Sequence, residues 1–359
     1  MDVSAKITGI TYKPLLCRDL KTYSISDLHS ALSQDGSFVL SLDDKKHLAL
    51  SWWVSAKRTR SYPYARVYDT LSFDGKKVTI IPIMKDEGKE GDRDFLQWDT
   101  ISLMSLLGIY VIIGYYNDAE KSKRYMHKIT NQRFDIQYIN EEIKNILSYQ
   151  SDALHWNLGQ IEKIGKIAKA AFYCYEKISK NLGVEMHSTE FAEKRINEII
   201  KGKETFMSLS RELAKKAQNR ESITKQPKEK LSGLKATLTI KNYLGGHYFF
   251  TCDEIIIEKE KIYLIEGKHS KKSLIPSLED IKDGLLKMIL FTNLKEVKIG
   301  EKEYNPIAVL KLTSDIIFQK DRLKISQIET LKRLKVEAKD NNFIVEFNNK
   351  NLMEMMLWI

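Results

Sequence analysis

The spacing of apolar and polar positions changes character along this chain. Over residues 1–118, short apolar runs alternate with turn residues. Phe38 to Leu42, Leu48 to Val54, Val78 to Met84 and Ile109 to Tyr116 predict strands. Asp74-Gly75 predicts a hairpin turn joining Val67–Ser72 to Val78–Met84. Asp94 to Leu107 predicts a helix that feeds the strand at Ile109. The charged stretch Lys85 to Asp94 predicts its leading loop, with Asp92 or Asp94 as N-cap. From residue 139 to 219 the apolar period lengthens to that of a helix. Its longest stretch is Ala153 to Leu182, with Gly183 as C-cap. Further helices are predicted over Ser188–Ile200 and Thr205–Asn219, then a polar loop over Arg220–Ser232.

In the last third, Thr251–Ile257 and Ile262–His269 read as two apolar strands joined by the charged turn Glu258-Lys259-Glu260-Lys261. The near-continuous runs Ile255–Ile257 and Ile262–Ile265 predict burial on both faces. A helix over Ser277–Asn293, a strand over Pro306–Thr313, a helix over Ser326–Lys339 and a strand over Phe343–Phe347 follow. The predicted class is α/β (α+β): a mixed sheet flanked by helices in the C-terminal half, a strand-rich N-terminal region (1–118) and a helical middle (119–185).

Composition narrows the function. A chain of 359 residues with 43% hydrophobic and 30% charged residues reads as globular, with room for two domains. A formal net charge of +10 is the footprint of a polyanionic partner. Three scattered cysteines, Cys17, Cys174 and Cys252, argue against a disulfide framework and against a Cys-rich zinc site. No apolar run reaches membrane-spanning length, and Met1–Lys6 lacks a signal-peptide core, so no membrane partner and a cytoplasmic location are expected.

The chemistry concentrates in the hairpin. Asp253 heads its first strand, and Glu266 and Lys268 end its second. Side chains alternate along a strand, so 266 and 268 share a face and Gly267 does not. Two carboxylates and an ammonium at one sheet edge suit a metal-dependent phosphodiesterase. Hard divalent cations take carboxylate oxygens and water. Such an ion polarises a phosphoryl oxygen and activates water. A lysine beside it orients or deprotonates that water, or stabilises developing charge.

This stretch resembles the PD-(D/E)XK nuclease superfamily, which includes most type II restriction endonucleases. Asp253 matches the family's acid, and Glu266-Gly267-Lys268 matches its (D/E)-x-K. Cys252 stands where a proline is usual, and Gly267 where an apolar residue is usual. Hairpin, helix, strand, helix is the order that fold needs, and the resemblance covers roughly residues 190–350. It implies a Mg²⁺-dependent (Mn²⁺ substituting) site-specific double-stranded DNA endonuclease. Asp253, Glu266 and the Gly267 carbonyl would hold the metal, and Lys268 would position or activate water. Glu212 is the nearest accessory acid on a preceding helix, then Glu193 or Glu190. It also implies a homodimer and a methyltransferase that protects host DNA. Residues 1–185 would then supply recognition and dimerisation, and 186–359 catalysis. Repair, recombination or RNA cleavage on the same core, or a silent binding module, are the alternatives.

Candidate DNA contacts lie in Lys57, Arg58, Arg60, Tyr62 and Arg66, a basic segment following Trp52-Trp53, where Pro63 is expected to prevent a regular helix. His269 and Lys271 are candidates beside the proposed site. Lys201–Ser232 holds nine Lys/Arg against four Glu, a solvated face or a DNA-backbone contact. Val67-Tyr68-Asp69, the Asp74-Gly75 turn and Val78–Lys85 echo the hairpin order. Asp69 and Lys85 take the acid and lysine positions there, and Ile83 replaces the carboxylate. An ordinary α/β substructure is the preferred reading of that echo. Gly159–Lys166 does not fit a phosphate loop, because five residues separate its glycines and Ile167 replaces Ser/Thr.

Overall fold

Val3, Ala5 and Ile7 alternate with Asp2, Ser4 and Lys6, and this two-residue period forms β1 (Asp2–Ile7), buried on its odd-numbered face. The computed structural model describes residues 2–43, 46–56, 61–200, 234–242 and 247–355. The chain packs as two units, Met1–Asp19 with Leu213–Ile359, and Leu20–Glu212. β1 therefore belongs with the C-terminal region and not with the rest of residues 1–185. The predicted helix Thr205–Asn219, the loop Arg220–Ser232, Lys57, Arg58, Arg60 and Glu212 lie outside the described residues.

Taken in chain order, the Leu20–Glu212 unit contains β2 (Thr22–Ser24), α1 (Leu28–Gln34), β3 (Ser37–Ser41), β4 (His47–Trp52), α2 (Ser61–Asp69), β5 (Lys76–Pro82), β6 (Met84–Asp86), β7 (Arg93–Phe95), α3 (Trp98–Leu106) and β8 (Tyr110–Gly114). It continues with β9 (Tyr116–Lys121), β10 (Ile129–Phe134), α4 (Ile136–Ser148), α5 (Ala153–Glu162), α6 (Ile164–Leu182) and α7 (Thr189–Ile200). A five-stranded sheet runs β2-β3-β4-β5-β8, parallel except between β3 and β4. β8 is buried throughout, with α3, α4 and α5 packed on it.

Four expectations fail in this unit. Val67–Ser72 is not a strand, since Val67–Asp69 end α2, so no hairpin forms and the echo of the nuclease order dissolves. Pro63 does not prevent that helix. It is the third residue of α2, in the first turn, where the missing N–H has no intrahelical partner to lose. Neither Asp92 nor Asp94 caps α3: Gln97 precedes it without a side-chain bond, while Asp94 lies in β7 and accepts from Ser55 Oγ at 2.6 Å. The single predicted helix Ala153–Leu182 breaks at Lys163, whose backbone (φ −85°, ψ −9°) ends α5 and begins α6. Gly183 does cap α6, at φ 58°.

The other unit adds β11 (Leu234–Asn242), β12 (His247–Glu258), β13 (Lys261–Ser270), α8 (Leu278–Phe291), β14 (Lys295–Ile299), β15 (Lys302–Ser314), α9 (Ile325–Asp340), β16 (Ile344–Phe347), β17 (Lys350–Asn351) and α10 (Leu352–Met355). From β13 the pairings run through β12, β11, β1, β14 and β15, and β15 then pairs in parallel with β13. β1 lies parallel to β11 and antiparallel to β14. β16 and β17 extend the sheet from β15. The mixed pairing and flanking helices match the predicted α+β class.

The hairpin forms as expected, with Lys259 at φ 55° in its tip. Its outer end is not buried on both faces, since Ile256 and Ile257 are each 39% exposed. The described β11–β12 ladder ends at Leu234↔Ile255, so among the described residues nothing pairs with that side of β12 beyond it. A buried carboxylate, Glu337 of α9, fastens the segment after β1. It accepts from Tyr12 Oη (2.7 Å) and from the backbone N–H groups of Leu15 (2.9 Å) and Leu16 (3.0 Å). No helix among the described residues is long and apolar enough to cross a membrane.

Candidate active site

Glu266, Gly267 and Lys268 lie in the second half of β13, against Leu310, Lys311 and Leu312 of β15. Antiparallel register carries Asp253 to the position opposite Glu266, one step beyond the Glu254↔Ile265 pair. The Gly267 N–H donates to Asp253 Oδ2 at 2.9 Å. Strand alternation turns Glu266 and Lys268 toward α8, and Lys268 Nζ lies 3.0 Å from Glu266 Oε1.

Helix α8 completes the cluster. Its N-cap, Ser277, accepts from the Asp280 N–H, and Glu279 and Asp280 place negative charge in the first turn. Asp283 and Lys287, four residues apart, share one face. Asp283 Oδ2 lies 2.5 Å from Lys268 Nζ, and Lys287 Nζ lies 2.8 Å from Glu266 Oε2 and 3.0 Å from the Thr251 carbonyl. Gly284 allows this approach. A Cβ there would meet Leu310 Cδ1 at 2.6 Å and Lys268 Cε at 3.3 Å.

Electrostatics fix the charge states. Burial alone would push the Glu266 carboxyl up, but the ammonium groups of Lys287 and Lys268 hold it down to about 2. Burial works against Lys268, yet Glu266, Asp283 and Asp253 raise it well above its ordinary range. Lys287 is raised by Glu266 and Asp253 against the same desolvation. Asp283 goes the other way: burial lifts its carboxyl more than Lys268 lowers it. The result is an ionised carboxylate clamped between two cations, with the Lys268 ammonium a fixed positive charge.

Asp253, Glu266, Gly267 and Lys268 thus stand together. His269 points to the opposite face, its side chain 6% exposed, with Nδ1 2.9 Å from Thr313 Oγ1 and Nε2 3.3 Å from Asp315 Oδ2. Lys271 is exposed in the loop after β13. Tyr62 and Arg66 lie on α2 of the other unit. The Arg66 guanidinium sits 4.5 Å from the Trp52 ring and 4.9 Å from the Tyr62 ring, and donates to the Trp52 carbonyl at 2.8 Å. Glu190 and Glu193 are exposed on α7. Asp283 and Lys287 escaped the sequence reading. Their signal was a pair of charges at helical spacing inside a run otherwise buried on nearly every side, Ile281 to Phe291.

Among the described residues, no group of three or more His, Cys, Asp or Glu could hold a metal ion. Asp253 and Glu266 remain as two carboxylates at facing positions, a donor set within what Mg²⁺ takes when it keeps most of its waters. The chain matches no protein-family model, no curated protein and no solved structure.

Proposed function

We propose that this chain is a metal-dependent nucleic-acid phosphodiesterase of the PD-(D/E)XK type, acting on double-stranded DNA as a restriction endonuclease does. The observation that supports it is the convergence of Asp253, Glu266 and Lys268 just past the last β12–β13 pair, with Lys268 held cationic. Asp253 and Glu266 would hold the ion, with the Gly267 carbonyl beside them. When bound, it would supply Lewis acidity and an activated water. The donor set fits in kind, although both Glu266 oxygens contact ammonium groups, so at least one lysine must yield on binding.

The chain's own groups then divide the work. Lys268, fully charged, suits stabilising the negative charge that grows on a phosphate oxygen; it does not suit proton abstraction. Asp283 fixes the ammonium in place. Lys287 adds a second cation for the anionic substrate. The basic charge of the chain supports a polyanionic partner, and a reducing, cytoplasmic setting suits its free thiols. The engagement of both Glu266 oxygens favours a second reading, a silent nucleic-acid-binding module.

Incubation with plasmid and Mg²⁺, followed by sequencing of fragment ends, separates these readings. Discrete ends support restriction. Ragged ends leave a nonspecific nuclease, and intact plasmid leaves the binding module. Asp253→Ala, Glu266→Gln and Lys268→Ala should each lower cleavage by about 10²-fold or more while DNA binding persists. Normal turnover in Glu266→Gln would remove the site assignment.

A further inference from the structure

The Leu20–Glu212 unit holds a cavity of about 300 Å³ that the proposed nuclease site does not use, lined among others by Met84, Asp86, Arg93, Phe172, Tyr175 and His187. Asp86 at its back is 3% exposed. Its Oδ1 accepts from the Gly88 N–H at 2.8 Å and from His187 Nδ1 at 2.7 Å. The surrounding backbone is pinned as well. The Asp86 N–H donates to Tyr175 Oη at 3.0 Å, Tyr175 donates to Gln132 Oε1 at 2.7 Å, and Gln132 Nε2 donates to the Asp86 carbonyl at 2.8 Å. Arg93 Nη1 lies 3.8 Å from Asp86 Oδ2 and donates to the Ser188 carbonyl at 2.9 Å. Its guanidinium rests over Phe95 and Phe191.

This arrangement fixes which atoms are left to act. A carboxylate facing Nδ1 keeps the proton there and sets the ring's orientation, so Nε2 is the working edge of His187. The His187 side chain is 27% exposed, and among the described residues Nε2 has no hydrogen-bond partner. The same holds for Nε and Nη2 of Arg93. Here two cation-capable heads are braced from behind and line one cavity, with Met84 and Phe172 as apolar wall. Glu176, the other carboxylate lining it, is exposed and screened by water.

We propose that this cavity binds a phosphate monoester: inorganic phosphate, a mononucleotide, or the 5′-phosphorylated end of a nucleic acid. The Arg93 fork would donate to its oxygens, and His187 Nε2 would donate when the ring carries a proton on both nitrogens. The inference rests on this unit alone and stands or falls independently of the nuclease reading.

The test titrates the full chain with inorganic phosphate, and separately with short duplexes bearing a 5′-phosphate or a 5′-hydroxyl. Saturable binding of phosphate or of the 5′-phosphorylated duplex is expected, weakened about tenfold or more in His187→Gln and in Arg93→Lys. Saturation by phosphate with no preference between duplexes assigns a small ligand. A preference for the phosphorylated duplex assigns a nucleic-acid end. Should a variant fail to fold, the His187 Cε1 proton resonance of the unaltered chain must move on phosphate addition. Absence of saturable binding by either probe, unchanged affinity in folded variants, or an unmoved His187 resonance would overturn the proposal.

Discussion

Glu266 is a buried carboxylate whose two oxygens each face an ammonium group. Its folded pKa, about 2, lies below its ordinary 4.5. The stability it contributes is present above pH 4.5 and is lost as pH falls from there toward 2. Asp283 has the opposite sign. Its raised carboxyl costs stability when ionised, and protonation in acid relieves that cost. Lys268 and Lys287 contribute fully below pH 10.5 and fade only above it. Urea midpoints measured down the acid window should therefore fall for the unaltered chain and fall less steeply for Glu266→Gln. Parallel slopes would mean that Glu266 is not the group responsible. Lys287→Met should lower stability by about 3 kcal/mol, because it strips one of two counter-charges from a buried anion. A loss within a few tenths of a kcal/mol would show that water replaces the ammonium without penalty.

Elements decide whether those residues meet. At Gly284, α8 leaves no room for a Cβ beside Leu310 of β15 and Lys268 of β13. Gly284→Ala should cost about 1–3 kcal/mol through overpacking. It should also reduce plasmid cleavage out of proportion, because Lys268 has to shift to admit the methyl group. Cleavage at the original rate in a folded variant would separate Gly284 from the placement of Lys268. The elements of this region were largely legible in sequence: hairpin, helix and strand follow from period and caps, and Asp253, Glu266 and Lys268 from alternation. Asp283 and Lys287 were not, because a helical pair meets a strand only through tertiary packing. The strand Asp2–Ile7 was not predicted, although its residues alternate, and nothing local announces its partner at residue 237. Val67–Asp69 misled for the converse reason. A β-branched residue beside an Asp-Gly turn resembles a hairpin, and the burial of Pro63, Tyr64, Val67 and Tyr68 on one helix overrides it.

At the scale of the molecule, one unit is continuous in sequence and the other is assembled from both sides of it. Removing residues 2–19 takes away the strand between β11 and β14 and leaves Glu337 without the Tyr12, Leu15 and Leu16 donors. Amide hydrogen exchange on that truncation should show protection lost in β11, β14 and α9 and retained in β4, β5 and β8. Cleavage should vanish with it. Full protection in β11 and β14 would show that β1 only decorates the sheet.

The interrupted pairing of β1 has a consequence during synthesis. β1 leaves the ribosome before residues 20–212, and its two partner strands emerge only after them, so it waits as an unpaired edge while the intervening unit folds. The loop to be closed exceeds two hundred residues, yet closure entropy grows only with the logarithm of length. A folded insert that holds the two ends of its own chain near each other would lower that cost further. Translation itself would thereby set the order of assembly, with the cavity lined by Arg93 and His187 complete before the carboxylate–lysine cluster exists.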